Sequence, residues 1–490
     1  MSVFVMVSQF ILGLALLIFV HELGHFFAAR IFKIRVPKFY LFFNPAISIV
    51  RCKKVNGKLR FKFFARNLSD TEVEYNESGN PVLDEKGKPK QRLIDVNSLP
   101  PEDWRKYPDN TEYGMGWLPL GGYCQIAGMI DETQSIDNMA TEPQKWEYRS
   151  KPAWQRLMVI LGGVIVNLVV GVLLFALVIG KYDKQYLPNE AVTDGIYAYP
   201  AARDLGFQTG DKLISVNGKK EVRFKDIASP KMLFGGIVTV ERQGEKKNIV
   251  IDEKAYSLMK GGKNIAFIGD NNCNTLIDSV IKNSPADKAG VQKEDRLLRI
   301  NDINVATLGE YFEHATPFPE QEITAIFLRG TDTLYYNFTL DTSGKMGIFI
   351  DIKSPYQRKD YSLRECFAYG WKDAIISIQL NIKGFGKIFS GEEKISSLSG
   401  PIGIMQAYGK EWNWRWFWYL TGLLSVILAF MNVLPVPGLD GGHAIFATVE
   451  LITRRKVSDK VLQHAQMVGM FILILLMVFV IGSDIFKLFH

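Results

Sequence analysis

An almost unbroken apolar stretch begins at Val3 and runs into the sequence His21-Glu22-Leu23-Gly24-His25. The stretch is long enough to cross a bilayer as one helix. Residues four apart share a helix face, so His21 and His25 can bind one metal ion while Glu22 lies beside them to accept a proton. Ionisable groups are costly inside a membrane, and their presence there indicates a functional metal site.

Three more segments are apolar enough to span a membrane. The mean hydropathy is only +0.03 at 47% apolar content, because these segments are averaged with strongly polar ones. The pattern predicts a polytopic α-helical membrane protein with four transmembrane helices. The predicted spans run approximately from Val3 to Ala28, from Leu157 to Ile179, from Trp416 to Leu434 and from Met467 to Ile481.

Basic residues predict the side of the membrane on which each loop lies. They follow the first span and separate the third from the fourth, so the positive-inside rule places both loops in the cytoplasm and both termini outside it. The first span has no basic residue before it and no cleavage-site pattern after it, which favours a retained helix over a signal peptide. The basic residues are Arg30, Lys33, Arg35 and Lys38 in the first loop and Arg454, Arg455 and Lys456 in the second.

The net charge of +7 is explained by these membrane-flanking residues and by ordinary solvated surface. The sequence contains no basic helix or nucleic-acid motif, so we expect no nucleic-acid partner. The four cysteines, Cys52, Cys124, Cys273 and Cys366, show no C-x-x-C spacing. We therefore expect neither a disulfide framework nor a cysteine-based zinc site.

A catalytic zinc ion usually takes three protein ligands, so a third ligand is needed. The third predicted span leads inward to residues 432–443, which places Asp440 at the depth of His21 and His25. His443 is the alternative ligand, because it lies three residues further on and imidazole suits zinc. Otherwise His443 is expected to be a loop histidine that packs near the site.

Four motifs of the chain occur together in one known family. They are His21-Glu22-Leu23-Gly24-His25, Pro119-Leu120-Gly121-Gly122-Tyr123, Ser399-Gly400-Pro401-Ile402-Gly403 and the segment from Asn432 to Gly442. With them the chain resembles, over nearly its whole length, the site-2 proteases, specifically the bacterial intramembrane zinc metalloproteases that cut anti-sigma factors. The resemblance implies one Zn²⁺ per chain held by His21, His25 and Asp440, with Glu22 as the catalytic base and Asn432 helping to hold the substrate backbone.

Asn167 is a polar residue within the second predicted span. The family commonly has a Gly-Pro-x-x-Asn pattern there, and this chain has Gly163-Val164-Ile165-Val166-Asn167. The resemblance implies that Asn167 supports the site, although Val164 replaces the proline of the family. The alternative is a hydrogen bond across helices, which is a common use of asparagine beside small residues in a membrane.

An internal repeat lies between the second and third spans. The segment from Gly206 to Gly218 aligns without gaps to the segment from Gly290 to Asp302. Each copy has a proline-containing helix start upstream, followed by a turn, a short apolar strand and an Asn turn. The copies look like PDZ domains, which bind peptide ends by adding a strand to a sheet edge. The alternative is that they only filter substrates by size.

The region after the first span has signals of β-structure. Alternation in residues 46–52 and 59–63, around Val55-Asn56-Gly57, predicts a hairpin that resembles the membrane-associated β-loop of the family. Residues 117–127 predict an edge strand, where Gly121, Gly122 and Tyr123 are expected to hold an extended substrate. The insertion at 67–110 is irregular, with a second hairpin at 80–88.

Residues 363–389 alternate apolar and charged groups and predict an amphipathic interfacial helix.

The predicted domains follow from these segments. The membrane part comprises transmembrane helix 1 with the H-E-x-x-H motif at 1–30, transmembrane helix 2 at 153–182, and transmembrane helices 3 and 4 with the Leu-Asp-Gly motif at 401–490. Between them lie the cytoplasmic β-loop, insertion and edge strand at 31–152, extracytoplasmic PDZ domains at 183–268 and 269–352, and the amphipathic connector at 353–400.

These features predict an intramembrane zinc metalloprotease of the bacterial cytoplasmic membrane. Its expected substrates are single-span membrane proteins, such as anti-sigma factors after a first cut, and remnant signal peptides as a second class. Two alternatives remain, a non-proteolytic membrane PDZ scaffold and a metal-binding membrane protein such as a transporter. The scaffold would tolerate Glu22→Gln, and the transporter would need polar residues along a path through the spans.

Overall fold

The computed structural model forms two compact units, of which unit 1 comprises Met1–Tyr182 and Ser362–His490 and unit 2 comprises Asp183–Tyr361. The structure describes residues 2–68, 71–73, 80–83, 89, 91–119, 121–129, 143–220, 222–227, 235–251, 267–271, 275–314, 320–341, 344–350, 356–392 and 398–489. The described α-helices are α1 (Ser2–Ile31), α2 (Ala153–Lys181), α3 (Pro200–Asp204), α4 (Phe224–Ile227), α5 (Pro285–Ala289), α6 (Leu308–His314), α7 (Leu363–Phe389), α8 (Pro401–Ala407), α9 (Trp414–Val433), α10 (Asp440–Thr453) and α11 (Asp459–Phe489). Short 3-10 helices cover Trp104–Lys106, Tyr148–Ser150 and Asn189–Ala191.

Within the described residues, four helices are long and apolar enough to cross a membrane, as predicted: α1, α2, α9 and α11. The helices α1, α2 and α11 extend beyond the apolar segments, because polar residues at their ends continue the helix. The helix α9 begins after Asn413, whose side chain accepts the Trp416 N–H at 3.0 Å. It ends at Val433, shortly before Pro435 and Pro437, which cannot continue a helix.

Small residues allow the spanning helices to approach closely. Gly24 of α1 crosses α2 at Gly162, where a Cβ on Gly162 would lie 2.6 Å from the Gly24 carbonyl oxygen. Gly171 of α2 faces Val426 of α9 in the same way, with 2.5 Å between its hypothetical Cβ and the Val426 Cγ2. Glycine interfaces of this kind are typical of membrane helices, since close backbone approach increases the van der Waals contact. The helix α2 therefore lies between α1 and α9.

A five-stranded sheet follows α1, with strand order β3-β2-β6-β1-β7. Its strands are β1 (Lys38–Leu41), β2 (Ile47–Val55), β3 (Lys58–Arg66), β6 (Glu112–Met115) and β7 (Tyr123–Gln125), and a separate pair comprises β4 (Thr71–Val73) and β5 (Gln91–Leu93). The predicted first hairpin is confirmed as β2–β3, with Asn56 and Gly57 in the left-handed region that its tight turn requires. The predicted edge strand is β7, which is shorter than 117–127. The predicted hairpin at 80–88 falls largely on residues outside the described ranges.

The predicted helix at 363–389 is α7, with the same bounds. It begins with a capping box, in which the Ser362 hydroxyl accepts the Glu365 N–H and the Glu365 carboxylate accepts the Ser362 N–H. The helix packs along α2, where a Cβ on Gly370 would lie 2.8 Å from the Val172 carbonyl oxygen and where Ala374 is fully buried.

Unit 2 consists of small sheets that share two apolar cores. The sheets are β10-β11-β12, β9-β13, β14-β19, β16-β15-β17-β18 and β8-β20. The strands are β8 (Gln185–Tyr186), β9 (Ile196–Ala198), β10 (Lys212–Val216), β11 (Gly236–Arg242), β12 (Glu245–Ile251), β13 (Ile268–Asp270), β14 (Ile277–Val280), β15 (Arg296–Ile300), β16 (Ile303–Asn304), β17 (Glu322–Arg329), β18 (Asp332–Thr339), β19 (Ile348–Ile350) and β20 (Gln357–Arg358).

The two aligned repeat segments have equivalent structures. Asp211 is fully buried, accepts the Gln208 N–H at 2.9 Å and binds Arg242 Nε at 2.6 Å. In the second copy, Asp295 is also fully buried, accepts the Gln292 N–H at 2.8 Å and binds Arg329 Nε at 2.7 Å. The Asn turns also match, because Asn217 and Asn301 both have positive φ and both accept a backbone N–H from the neighbouring strand.

Candidate metal centre

The H-E-x-x-H motif on α1 meets the first residue of α10. Asp440 Oδ2 lies 3.2 Å from His21 Nε2 and 3.4 Å from His25 Nε2, and the two ring nitrogens are 3.3 Å apart. These three residues are the one group in the described part of the chain whose His, Cys, Asp or Glu side chains can converge on a metal ion. Two segments more than 400 positions apart in the sequence therefore form one donor cluster.

The cluster fits a zinc ion. Tetrahedral ligands about 2.1 Å from zinc stand about 3.4 Å apart, and the three measured separations are close to this distance. Asp440 Oδ2 is buried and makes no well-aligned hydrogen bond within the described residues. A buried carboxylate oxygen without such a partner is costly unless a cation satisfies it. Two imidazoles and one carboxylate form a donor set that catalytic zinc uses.

Each histidine is oriented through its second ring nitrogen. His25 Nδ1 lies 2.9 Å from the Val159 carbonyl oxygen, so Nδ1 carries the proton and Nε2 has a free lone pair for a metal. His21 Nδ1 lies 3.1 Å from the side-chain nitrogen of Asn167, whose buried oxygen has no partner in this orientation within the described residues. Turning the amide by 180° satisfies both groups, because the oxygen then accepts the Nδ1 proton.

Glycines bring the histidines against α2. A Cβ on Gly163 would lie 2.5 Å from His25 Nε2 and 2.7 Å from His21 Cε1, so only glycine leaves room for both rings. Gly442 is similarly close to the backbone, with 2.7 Å between its hypothetical Cβ and the Pro437 Cα. The tight packing of the Pro437 segment against the start of α10 directs Asp440 toward the histidines.

Burial alone would raise the pKa of Asp440, but positive charge on the neighbouring His25 and His21 rings lowers it below its ordinary value. A bound cation in their place would lower it for the same reason, because it favours the ionised carboxylate that binds a metal. His443 lies in the first turn of α10, so the expectation of a loop histidine is wrong. The Leu-Asp-Gly motif begins a helix, which the preceding prolines obscured in the sequence. Burial lowers the pKa of His443, and its ring lines the same cavity as the three ligands without joining their cluster.

Asn432 is buried at the end of α9, with its side-chain nitrogen 3.3 Å from His21 Nε2. Of the three predicted substrate residues on the edge strand, Gly122 and Tyr123 line the cavity of about 170 Å³ that contains His21, Glu22 and His25. Gly121 does not line it. A Cβ on Gly121 would lie 2.6 Å from the Phe43 ring, so this glycine permits close packing beneath the strand.

The Glu22 carboxylate accepts a hydrogen bond from the backbone N–H of Cys124 in β7. Sequence reasoning did not identify this contact, nor the Val159 carbonyl that orients His25, because backbone groups carry no residue signature. It also did not identify Gln466 of α11, which lines the cavity beside His443. The sequence did contain one signal for Gln466, because a polar residue directly before the fourth predicted span can face a site rather than lipid.

The chain belongs to peptidase family M50, whose family model matches residues 9–67 and 94–476. Curated relatives cover nearly the full length. A Neisseria meningitidis protein provisionally named a zinc metalloprotease is 26% identical over 98% of both chains. The regulator of sigma-E protease RseP of Salmonella typhimurium is 24% identical over 98% of both chains, and protease RseP of Yersinia pestis is 24% identical over 100% of both.

These matches confirm the predicted class, a zinc metalloprotease of the site-2 type, and zinc as its cofactor. Together with the four apolar helices, they define a multi-pass membrane peptidase with several β-sheets. The complete donor cluster and the match to a peptidase family do not favour the scaffold or transporter alternatives.

Proposed function

We propose that this enzyme hydrolyses peptide bonds within the transmembrane segments of other membrane proteins. In this proposal His21, His25 and Asp440 hold one zinc ion and Glu22 is the catalytic base. The observation that carries it is the set of three donor atoms, mutually 3.2 to 3.4 Å apart. Two of them lie on α1, which is apolar enough to cross a membrane, and the third is at the start of α10, shortly after the spanning helix α9 ends.

Zinc, when bound, supplies Lewis acidity that activates water and polarises the scissile carbonyl. Glu22 takes the proton of the attacking water and delivers it to the leaving amide nitrogen. The Cys124 N–H holds the carboxylate in the cavity that His21 and His25 also line. Asn167 and the Val159 carbonyl keep the two imidazoles in the tautomer that a metal needs.

The edge strand β7 is suited to hold an unwound substrate. Its register pairs Phe39 with Cys124, and the Cys124 N–H points to Glu22 rather than to β1. Neighbouring residues of a strand direct their backbone groups to opposite sides, so Gly122, just before β7, faces the same outer edge as Cys124, whose N–H binds Glu22. A substrate segment can add there as a further strand, with Tyr123 and Asn432 beside it. Gly121 contributes by permitting the close packing that supports the strand.

Helices resist cleavage because their carbonyls are hydrogen-bonded internally. A substrate must unwind before it can pair with β7, so helix-weakening residues near the cut should be required. Replacing the cut region of a single-span substrate with polyleucine should slow its cleavage strongly, as measured by product formation in liposomes. Equal rates for both substrates would contradict strand addition as the binding mode.

The basic loops support a topology with both termini outside the cytoplasm and the active site near the cytoplasmic side of the bacterial inner membrane.

The two equivalent halves of unit 2 support tandem extracytoplasmic PDZ domains at about 183–268 and 269–352, which bind peptide ends or filter substrates. The other domain boundaries, at 1–30, 31–152, 153–182, 353–400 and 401–490, are part of the same proposal. The Salmonella typhimurium relative is named a regulator of sigma-E protease, which supports substrates that act in sigma-factor regulation, and anti-sigma factors are the class that we propose.

The ligand assignment is tested by measuring zinc in purified variants. Asp440→Ala should lose bound zinc, because one of its three protein ligands is removed. His443→Ala is the matched control, since it lies one helical turn away in the same cavity, and it should retain zinc. The reverse pattern would make His443 the third ligand.

A further inference from the structure

Tyr123 of the edge strand β7 is stacked against two aromatic rings of the segment that follows α1. The register pairs Tyr123 with Tyr40 of β1, and the centroids of their parallel rings are 5.2 Å apart. The Phe43 ring is also nearly parallel to that of Tyr123, at a centroid distance of 6.4 Å. Stacked aromatic pairs at these separations attract each other beyond the effect of burial alone. The plane of the Tyr123 ring is therefore fixed by its neighbours.

Tyr40 is itself fixed in the sheet. Its side chain is only 1% exposed, and its hydroxyl donates to Glu112 Oε1 at 2.5 Å. A Cβ on Gly114 of β6 would lie 2.3 Å from the Tyr40 ring, so this glycine leaves the space that the ring fills. The ring that supports Tyr123 therefore belongs to the core of the sheet.

A buried polar network holds the hydroxyl of Tyr123. This hydroxyl donates to Asn44 Oδ1 at 3.0 Å. The Asn44 side-chain nitrogen donates to Ser48 Oγ at 3.1 Å and to Asn67 Oδ1 at 3.2 Å, and Asn67 Nδ2 donates to the Asn44 carbonyl oxygen at 2.7 Å. Because both ends of the Asn44 amide have partners, its oxygen is directed at Tyr123.

These contacts act on an edge residue of the catalytic cavity. The strand β7 is at one end of the described sheet, so the neighbouring strand of Tyr123 is β1 on its inner side. Tyr123 also lines the cavity that contains His21, Glu22 and His25. A side chain that is held in one orientation before a ligand arrives loses less entropy when the ligand binds. The arrangement is therefore suited to a preorganised contact with the substrate.

A substrate that adds to β7 as a further strand places one side chain beside the Tyr123 ring. Residues that stand opposite each other in neighbouring strands project from the same face of the sheet. The Cys124 N–H faces the outer edge, so the backbone groups of Tyr123 face β1. Opposite an antiparallel substrate, Tyr123 then occupies a non-hydrogen-bonded pair, in which the two side chains approach most closely.

We propose that Tyr123 is a specificity-determining residue that selects the substrate side chain opposite it, and that Tyr40, Phe43 and Asn44 are its positioning residues. This inference rests on the strand addition at β7 that is part of the proposed function. Aromatic and β-branched residues form favourable cross-strand pairs with an aromatic ring, so a substrate with such a residue at this position should be cleaved best. A β-branched residue there would also weaken the helix that must unwind.

The test measures cleavage of single-span substrates by the full-length enzyme in liposomes. Mass spectrometry locates the cut, and each substrate residue around it is changed in turn to Phe and to Ala. At one position the wild type should cleave the Phe substrate with a kcat/KM roughly fivefold above that of the Ala substrate, because one aromatic cross-strand pair is gained. Tyr123→Leu should abolish this preference at that position alone, with zinc content unchanged.

Two further variants test the positioning of the ring. Asn44→Ala and Tyr123→Phe each remove the bond between the Tyr123 hydroxyl and Asn44. Each should raise the KM of the Phe substrate about threefold, since one neutral hydrogen bond is lost, and should leave kcat and zinc content unchanged. The double variant should raise KM no further, because both substitutions remove the same bond.

Thr111→Val is the matched control. It removes another buried hydroxyl bond beside the same sheet, from Thr111 Oγ1 to the Val36 carbonyl oxygen at 2.8 Å, and it leaves the Asn44 bonds in place. It should keep the wild-type preference and KM.

The inference is overturned if the wild type cleaves Phe and Ala substrates equally at every position, if Asn44→Ala and Tyr123→Phe keep the wild-type KM, or if Thr111→Val changes KM as much as they do. In all three cases the proposed function stands, because the wild type still cleaves. Absence of any cleavage by the wild type would overturn the proposed function and this inference together.

Discussion

His21 depends on the surrounding side chains more than the other ligands do. Its ring contacts His25 and Asp440 through Nε2 and Asn167 through Nδ1. His25 instead uses a backbone carbonyl of α2, which no substitution removes. The tautomer of His21 is therefore set by one side chain, and Asn167 is the residue through which the site can be weakened without removing a ligand.

We expect Asn167→Ala to lower zinc affinity by about 10- to 100-fold, because His21 loses the partner of its Nδ1–H. Asn167→Asp keeps an acceptor oxygen in the same position and should retain most of the affinity. Competition with a chelator of known affinity measures both variants. Equal affinities for Asn167→Ala and the wild type would show that the side-chain amide does not set the tautomer of His21. The Ser425 hydroxyl donates to the backbone carbonyl of Asn167, so the substitution leaves that contact between the helices in place.

At this scale the sequence predicted the side chains of the site but not their backbone partners. The spacing of His21 and His25, and the charge-based topology that placed Asp440 at the same depth, required only the identity of the residues. The Cys124 N–H that binds Glu22 and the Val159 carbonyl that binds His25 are set by helix and strand placement. Every residue has these backbone groups, so the sequence could not single them out.

Among the elements, the crossing of α1 and α2 determines the geometry of the site. The two helices cross at Gly24 and Gly162. The next residue of α2, Gly163, faces the imidazoles of His21 and His25. The proline that the family commonly has after this glycine is Val164 here, and α2 continues through it without interruption. A close helix crossing is therefore maintained by small residues alone.

Gly163→Ala should reduce cleavage by roughly 100-fold, because a methyl group would displace His21 and His25 from the donor geometry. The control is Gly482→Ala on α11, where a Cβ meets nothing within 4 Å. Rates on a single-span substrate and zinc content should both be measured. A Gly163→Ala enzyme with wild-type zinc and rate would contradict the tight crossing.

The Ser-Gly-Pro-Ile-Gly motif at 399–403 binds a carboxylate of α11. Asp484 is only 4% exposed and accepts backbone N–H groups of Gly400 at 3.1 Å, Ile402 at 3.1 Å and Gly403 at 3.0 Å. A Cβ on Gly400 would lie 2.6 Å from Asp484 Oδ2, which explains the glycine. The motif therefore attaches the fourth spanning helix to α8.

Asp484→Ala should lower the free energy of unfolding by about 3 kcal/mol, since three buried N–H groups lose their charged acceptor. Asp484→Asn retains one acceptor oxygen and should lose about half as much. Thermal unfolding in detergent measures both. If Asp484→Ala is as stable as the wild type, the carboxylate does not anchor α11.

On the scale of the whole molecule, the chain combines a membrane unit that contains the metal centre with a unit built from a repeated structure. Hydrophobic length and charge were sufficient to predict four spans, and the gapless repeat predicted two similar halves. The start of α10 and the pairing of β6 between β1 and β2 were not predicted. Both depend on contacts between segments that are distant in the sequence, and a local pattern does not contain them.

The repeat leads to a prediction for unit 2. Asp211→Asn and Asp295→Asn should each destabilise their own half by about 2 kcal/mol, because each removes the charge of a fully buried carboxylate that accepts hydrogen bonds from a partly exposed arginine and from a backbone N–H. Hydrogen exchange resolved by peptide should show the loss in that half, while zinc content stays unchanged. The exposed Asp204→Asn is the control, and destabilisation by it would show that the effect is not specific to the buried pairs.

The most direct measurement is cleavage of a single-span substrate in liposomes by the wild type and by Glu22→Gln, with zinc determined in both. We predict cleavage by the wild type alone and equal zinc in both, because Glu22 moves the proton and does not hold the metal. Cleavage by Glu22→Gln at the wild-type rate, or an active wild type that contains no zinc, would contradict the proposed metal centre.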